Sequence, residues 1–274
     1  MTNLGASAVG RFHLSSSERQ EMEKDRGVST VELLRLLVRD AQPLARVPVS
    51  DFRVGAAGIN SSGEIFLGVN LEFAGASFAQ TVHAEQFLVS LSRTRSASPL
   101  VKLAVSAPPC GHCRQFVTEF DPEGNLELFI GDEKSVKMRE LLPRAFGPQD
   151  LNVKEPFYSE PLTLGDDEDL ESAARTSARL SYVPYSKTRA GTAVKGVCGR
   201  IFAGSALENA AYNPALPPLQ AALVSAFASG CAPEDVREVI LCQEKGGLID
   251  YAPQLRDLTN SLGTDPVSFR TVFL

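Results

Sequence analysis

Long apolar runs are missing from this chain. No uninterrupted stretch approaches the roughly 20 residues that a membrane-crossing helix requires, so no membrane partner is expected. A basic excess is missing as well. The 274 residues carry 27 Lys and Arg against 33 Asp and Glu, a net charge of −6. A surface for polyanions normally needs a basic stripe, so nucleic acid is not the expected partner. The opening Met1-Thr2-Asn3-Leu4-Gly5-Ala6 has neither the basic start nor the apolar stretch of a secretory signal, and the expected location is cytoplasmic. Cysteine is scarce, and the five present (Cys110, Cys113, Cys198, Cys231 and Cys242) are an odd number. That does not suit a disulfide framework. Cys198, Cys231 and Cys242 are expected to behave as small buried apolar residues.

What is present is the balance of a globular protein with a real core: 43% hydrophobic and 22% charged residues. The length suits two domains of ordinary size. Residues 1–28 are polar and rich in Ser, Glu and Lys, and read as a flexible N-terminal arm. Ser29 and Glu32 have capping-box spacing ahead of Val31, Leu33, Leu34, Leu36, Leu37 and Val38, which predicts an amphipathic helix ending before Pro43. From residue 47 the period becomes that of strands. Residues 52–57 and 64–69 flank the turn Asn60-Ser61-Ser62-Gly63, a hairpin signal. A helix is expected over 83–93, a strand over 101–105, a helix from 110 to about 120, and a strand over 126–130. The order β-β-α-β-α-β predicts an α/β sheet with helices packed on its faces. Residues 131–165 have the proline and glycine of a linker. Asp166-Asp167-Glu168-Asp169 reads as the acidic first turn of a helix reaching about residue 180.

The chain then repeats itself. Residues 47–72 align without gaps to 183–208, and 12 of the 26 pairs are identical, among them Ser50/Ser186, Arg53/Arg189, Gly55/Gly191, Gly68/Gly204 and Glu72/Glu208. Chance would give about two. This is a duplicated unit. With one deletion the match resumes at residues 88–90 against 223–225, which sets Pro218 against His83 and Gln220 against Glu85. The second copy keeps the scaffold and lacks the residues considered next.

Those residues are His83-Ala84-Glu85 and Pro109-Cys110-Gly111-His112-Cys113. Cys110 and Cys113, three apart on the first turn of a helix, turn both sulfurs the same way, and exposed backbone N–H groups stabilise their thiolates. His83 adds a neutral nitrogen. Two thiolates and one His hold a zinc ion and leave its fourth position for water. Zinc lowers the pKa of that water towards neutrality, and Glu85 is available to move its proton. The alternative is a closed structural zinc site with His112 as the fourth ligand, although a residue between two chelating cysteines on one turn rarely has the geometry.

His-x-Glu with Pro-Cys-x-x-Cys is the pattern of zinc-dependent nucleobase deaminases. With residues 51–57, Gly68-Val69-Asn70-Leu71-Glu72 and Cys110-Gly111-His112-Cys113-Arg114-Gln115-Phe116, the chain resembles the cytidine deaminases of the dimeric, two-domain type, over about residues 30 to 274. The resemblance implies a three-layer α-β-α deaminase fold with a mixed central sheet, duplicated in the chain: a catalytic domain at 29–150, a linker at 151–170 and a degenerate, non-catalytic copy at 171–274. It implies hydrolytic deamination of cytidine and 2′-deoxycytidine, one zinc per chain, a small-molecule nucleoside substrate and a homodimer. It further implies that Asn70 and Glu72 bind the ribose 3′-hydroxyl and that Phe52 lies against the pyrimidine. The N–H of Ala84 and the carboxyl of Glu85 would read O2 and N3, and the carbonyl of Pro108 would meet the 4-amino group. Phe146 would reach into the partner's site. Two rival readings remain at this level: an enzyme acting on deoxycytidylate or polynucleotides, and a non-enzymatic zinc-stabilised scaffold.

Overall fold

The structure, a computed structural model, describes residues 12–165 and 168–274. Asp166 and Asp167 lie outside the described residues, as does the arm up to residue 11. From Phe12 onward the arm is paired and packed, so the reading of it as loose does not hold for residues 12–28. Phe12 is buried and packs its ring 5.1 Å from Phe87 and 6.0 Å from Phe227. β1 (His13–Leu14) pairs antiparallel with β3 (Ile65–Val69). α1 (Ser16–Arg26) opens on a Ser15–Glu18 capping box and closes on Gly27, whose φ of 62° suits a residue without a Cβ. The helix has no buried residue. It is held by its caps and by Arg19, which donates to the Gly63 carbonyl.

α2 (Thr30–Ala41) follows from the Ser29–Glu32 box as expected, with Leu33, Leu34, Leu37, Val38 and Ala41 on its buried face. The hairpin is β2 (Gly55–Asn60) with β3, and β4 (Leu100–Val105) pairs antiparallel on the other side of β2. β5 (Glu127–Ile130) runs parallel to β4, and the short β6 (Val136–Lys137) closes the edge. The order is β1-β3-β2-β4-β5-β6. Residues 131–151 are therefore less of a linker than their composition suggests: β6, α5 (Met138–Leu141) and a short 3-10 turn, Pro148–Leu151, lie within them.

α6 (Leu170–Arg179) is capped by Asp169, whose side chain accepts from the Ser172 N–H. The second sheet then repeats the first. β7 (Ala190–Gly196), β8 (Ile201–Ser205), β9 (Val236–Gln243) and β10 (Ser268–Phe273) take the order β10-β9-β7-β8, with β9 and β10 parallel. That is the order and sense of β5-β4-β2-β3. α7 (Pro218–Phe227) and α8 (Ala252–Thr259) answer to α3 (Ala84–Arg95) and α4 (Gly111–Val117).

Two glycines show how each helix comes to lie on its sheet. A Cβ on Gly55 would meet the Val38 carbonyl of α2 at 2.5 Å, and one on Gly68 would meet the Ala84 carbonyl of α3 at 2.2 Å. Gly68 pairs across the hairpin with Ala56, so Gly55 and Gly68 point to opposite faces. The first sheet is thus sandwiched between α2 and α3. α3 packs in turn on α7, and one hydrophobic core runs from Phe12 through both halves to Leu262. Cys231 and Cys242 are buried, as expected for apolar residues; Cys198 is exposed on the β7–β8 turn, which corrects its assignment to the interior.

Candidate active site

His83 is the N-cap of α3 and holds extended backbone, φ −79° and ψ 156°, while its N–H donates to the Gln86 side chain. Glu85 follows inside the first turn. Cys110 caps α4, and its sulfur accepts from the Cys113 N–H at 3.5 Å. Because Gly68 lets the start of α3 press onto β3, and β4 delivers residues 106–109 to the same edge, the two helix starts meet. The Sγ atoms of Cys110 and Cys113 are 3.6 Å apart, and His83 Nδ1 is 3.5 Å from the first and 3.3 Å from the second. Tetrahedral ligation at ordinary Zn–S and Zn–N lengths requires edges of about 3.8 and about 3.5 Å. Two soft sulfurs and one imidazole at these separations fit zinc and leave one position open. Among the described residues this is the single such group.

The electrostatics follow from the crowding. The contact between the two sulfurs is the largest influence holding the Cys110 thiol down, to about 4, while the same contact and burial push the Cys113 thiol up. Both thiols would be deprotonated to hold a divalent cation in the cage. Glu85 is 4% exposed, and its Oε2 is 3.2 Å from Cys113 Sγ. Burial raises its carboxyl above the ordinary value.

His112 is not part of the cage. Its ring centroid lies 5.5 Å from that of His83, the planes tilted by 39°, and Nε2 faces the Asn213 carbonyl at 3.4 Å. His112 therefore does not close the cage, and no fourth ligand joins the group among the described residues.

A cleft of ≈ 280 Å³ opens over Glu85, lined by Ser50, Phe52, Val54, Asn70, Glu72, Thr81, His83, Ala84, Ala107, Pro108 and Cys110. Sequence reasoning singled out Phe52, Asn70, Glu72, Ala84 and Pro108, and all five are brought together. Phe146 is not: it is 47% exposed, away from this cleft, and its carbonyl accepts from Gln115. Phe52 is 61% exposed at the mouth. Asn70 is engaged by backbone, accepting from the Val54 N–H at 2.8 Å and donating to the Phe52 carbonyl at 2.9 Å. Glu72 accepts from the N–H groups of Val49 and Ser50 at 3.0 and 2.9 Å and from the Ser50 hydroxyl. Burial alone would raise the Glu72 carboxyl, but these bonds outweigh it and hold it below its usual value. Ser50 was not among the expected site residues, although its identity in both repeats marked it. The second half explains the repeat: Glu208 accepts from the N–H groups of Tyr185 and Ser186 in the same way. Both carboxylates brace a turn, and the one in the first half also faces a cleft.

The position of Phe52 is taken by Thr188 in the second half, and its hydroxyl accepts from the Leu248 N–H. The loop after β9 is tied down where the first half is open. A larger groove of ≈ 860 Å³ lies between the halves and shares Thr81 and His83 with the cleft, but contains neither the sulfurs nor Glu85.

Comparison with known proteins agrees with this geometry. Residues 30–124 and 138–254 each match a family described as the cytidine and deoxycytidylate deaminase zinc-binding region. The chain is 34% identical over 260 residues to a cytidine deaminase of Vibrio cholerae and 32% identical to one of Vibrio vulnificus, in both cases over 93% of this chain and 88% of the relative. Among solved structures, a cytidine deaminase from Mycobacterium tuberculosis is 30% identical over 43% of this chain and 97% of its own, with a TM-score of 0.38. Since the likeness to the Vibrio enzymes runs through both halves, including the one without metal ligands, the duplicated chain as a whole belongs to the cytidine deaminase family.

Proposed function

We propose that this chain hydrolyses cytidine and 2′-deoxycytidine to uridine and 2′-deoxyuridine with release of ammonia, as a cytoplasmic homodimer carrying one zinc per chain. The observation that carries the reading is the buried Glu85 carboxyl beside the cage of His83, Cys110 and Cys113, at the floor of a cleft sized for a small ligand. Zinc bound there supplies a water whose pKa is lowered towards neutrality. With the metal bound, Glu85 would take one proton from that water and give it to ring N3 as the water oxygen bonds to C4; it would then take the proton of the resulting C4 hydroxyl and give it to the amine, so that the C4–N bond breaks, ammonia leaves and a carbonyl remains at C4. A carboxyl raised by burial suits this exchange, because it both takes and returns the proton readily.

Phe52 covers the pyrimidine face, the Ala84 N–H and Pro108 carbonyl read the base edge, and Asn70 and Glu72 meet the ribose. Arg114 donates to the Pro109 carbonyl, which leaves the preceding carbonyl to the cleft. An ionised Glu72 repels a 5′-phosphate and so favours nucleoside over nucleotide. Phe78, Tyr212 and Leu248 on the larger groove are 83%, 67% and 83% exposed, apolar surface that suits burial against a second copy. That copy would bring Phe146 to its partner's cleft. The boundaries 29–150, 151–170 and 171–274 serve as the working division of the chain. Ammonia release from cytidine, deoxycytidine, cytidylate and single-stranded DNA tests the reading: release from the first two alone is expected, and equal release from cytidylate overturns the limit to nucleosides.

A further inference from the structure

Both sulfurs of the metal cage come from α4, a helix of 7 residues. Its position relative to His83 on α3 therefore sets the cage. One side of α4 is fixed within its own half by the fully buried Phe116 and by Arg114, which donates to the Leu141 carbonyl. The other side also meets the second half. The Asn209 amide donates to the Gln115 carbonyl at 3.0 Å. Beyond it stands Glu119, 3% exposed. Its Oε1 accepts from the hydroxyls of Tyr182, at 2.8 Å, and Tyr185, and its Oε2 accepts from the Ala210 N–H at 2.8 Å. All three donors belong to the second half, and no Lys or Arg is paired with this carboxylate among the described residues.

Residues 206–213 are the counterpart of 70–77, the stretch that carries Asn70 and Glu72 into the substrate cleft. In the copy, with no cage to serve, the same stretch turns to the working half and takes hold of the metal helix. A buried carboxylate with three donors is a stiff junction, since removing any partner leaves a desolvated polar group.

We infer that Glu119 is a positioning residue for the metal cage: by binding Tyr182, Tyr185 and Ala210 of the second half it sets where α4 places Cys110 and Cys113. This rests on the zinc reading above and assigns the metal-free half a role in it. Outer groups that orient ligands typically govern metal affinity by about 10- to 100-fold.

The test uses the full-length zinc-loaded protein and reads the rate of zinc transfer to a chelator and the visible spectrum of the cobalt-substituted form. Glu119→Ala and the double variant Tyr182→Phe/Tyr185→Phe are expected to lose zinc at least about tenfold faster and to shift the cobalt bands. Glu119→Gln, which keeps one acceptor oxygen, is expected between them and the parent. Ser205→Ala removes a buried hydrogen bond to the Ser177 carbonyl wholly within the second half; it is expected to lower the melting temperature and leave both readouts unchanged. If Glu119→Ala does not fold, the double variant, whose rings still fill their places, decides the matter. Zinc loss within about twofold of the parent, with unshifted cobalt bands in the variants that fold, overturns the inference alone. A parent chain that takes up no zinc overturns the reading beneath it.

Discussion

The Gln220 amide donates a 2.6 Å hydrogen bond to the Gln80 side-chain oxygen. Gln220 occupies, in the second half, the place Glu85 has in the first, and Gln80 stands three residues before His83. Under the proposed function, the counterpart of the catalytic acid supports the segment that leads to His83.

Restoring an acid there is therefore expected to do harm. Gln220→Glu sets a carboxylate against the Gln80 oxygen in a fully buried place, where one Gln220 oxygen already lacks a partner. A loss of about 1–3 kcal/mol is expected in urea unfolding. No second metal should be gained, since Pro218 offers no ligand where His83 does. An unchanged or raised stability would show that the contact contributes nothing.

Glu85→Gln is expected to keep the fold and the zinc while kcat falls by at least about 10²-fold. Metal content and circular dichroism check the first half of that statement, and ammonia release checks the second. Near-parental turnover would remove Glu85 from the mechanism.

Metal analysis is expected to find one zinc per chain, and to find the same in Cys198→Ser/Cys242→Ser. Neither cysteine belongs to the metal-holding group, and each sits in the half whose fold is intact without such a site. Two zinc ions per chain would contradict the description of that half.

Acid should weaken the first half through Glu64. Burial would raise this carboxyl, but bonds from Asn60, Ser96, Ser62 and His13 together hold it below its ordinary value of 4.5. A carboxyl lowered in the folded state contributes stability that is complete above 4.5 and is lost as pH falls through its folded value. The melting temperature of the parent should thus fall more steeply below about pH 4.5 than that of Glu64→Gln, in thermal melts at matched ionic strength. Parallel curves would show that Glu64 is not a source of the acid sensitivity.

The site was legible because its chemistry is local. Spacing alone aligned Cys110 with Cys113 and Glu85 with His83, and the α2 box and the 55–69 hairpin were equally local signals. The identity of Gly55/Gly191 and Gly68/Gly204 announced the duplication, and the structure shows why those positions could not vary: each receives helix backbone. The misreadings have a different origin. α1 has no fully buried residue and sets only Met22 against the core, so its composition spoke for a loose arm, although Ser15 and Glu18 carried the same box as Ser29 and Glu32. Phe12 is held by Phe87 and Phe227, more than 70 and 200 positions away, which no window of sequence contains. Glu119 is the sharpest case: its three partners lie across the junction, and nothing beside it in sequence distinguishes it from a solvated acid.

The single core that passes from α3 into α7 bears on how such a chain can drift. A duplicate that had separated into its own domain could lose residues freely once its catalysis was gone. Here the duplicate shares its interior with the first half, so a substitution on the α7 face that packs against α3, or at Tyr182, bears on the elements that carry His83 and Cys110. Under the proposed division of the chain, the second copy is held to its shape rather than to its chemistry. What varies in it should be the lining of its closed cleft, and what persists should be the surface it turns towards its twin.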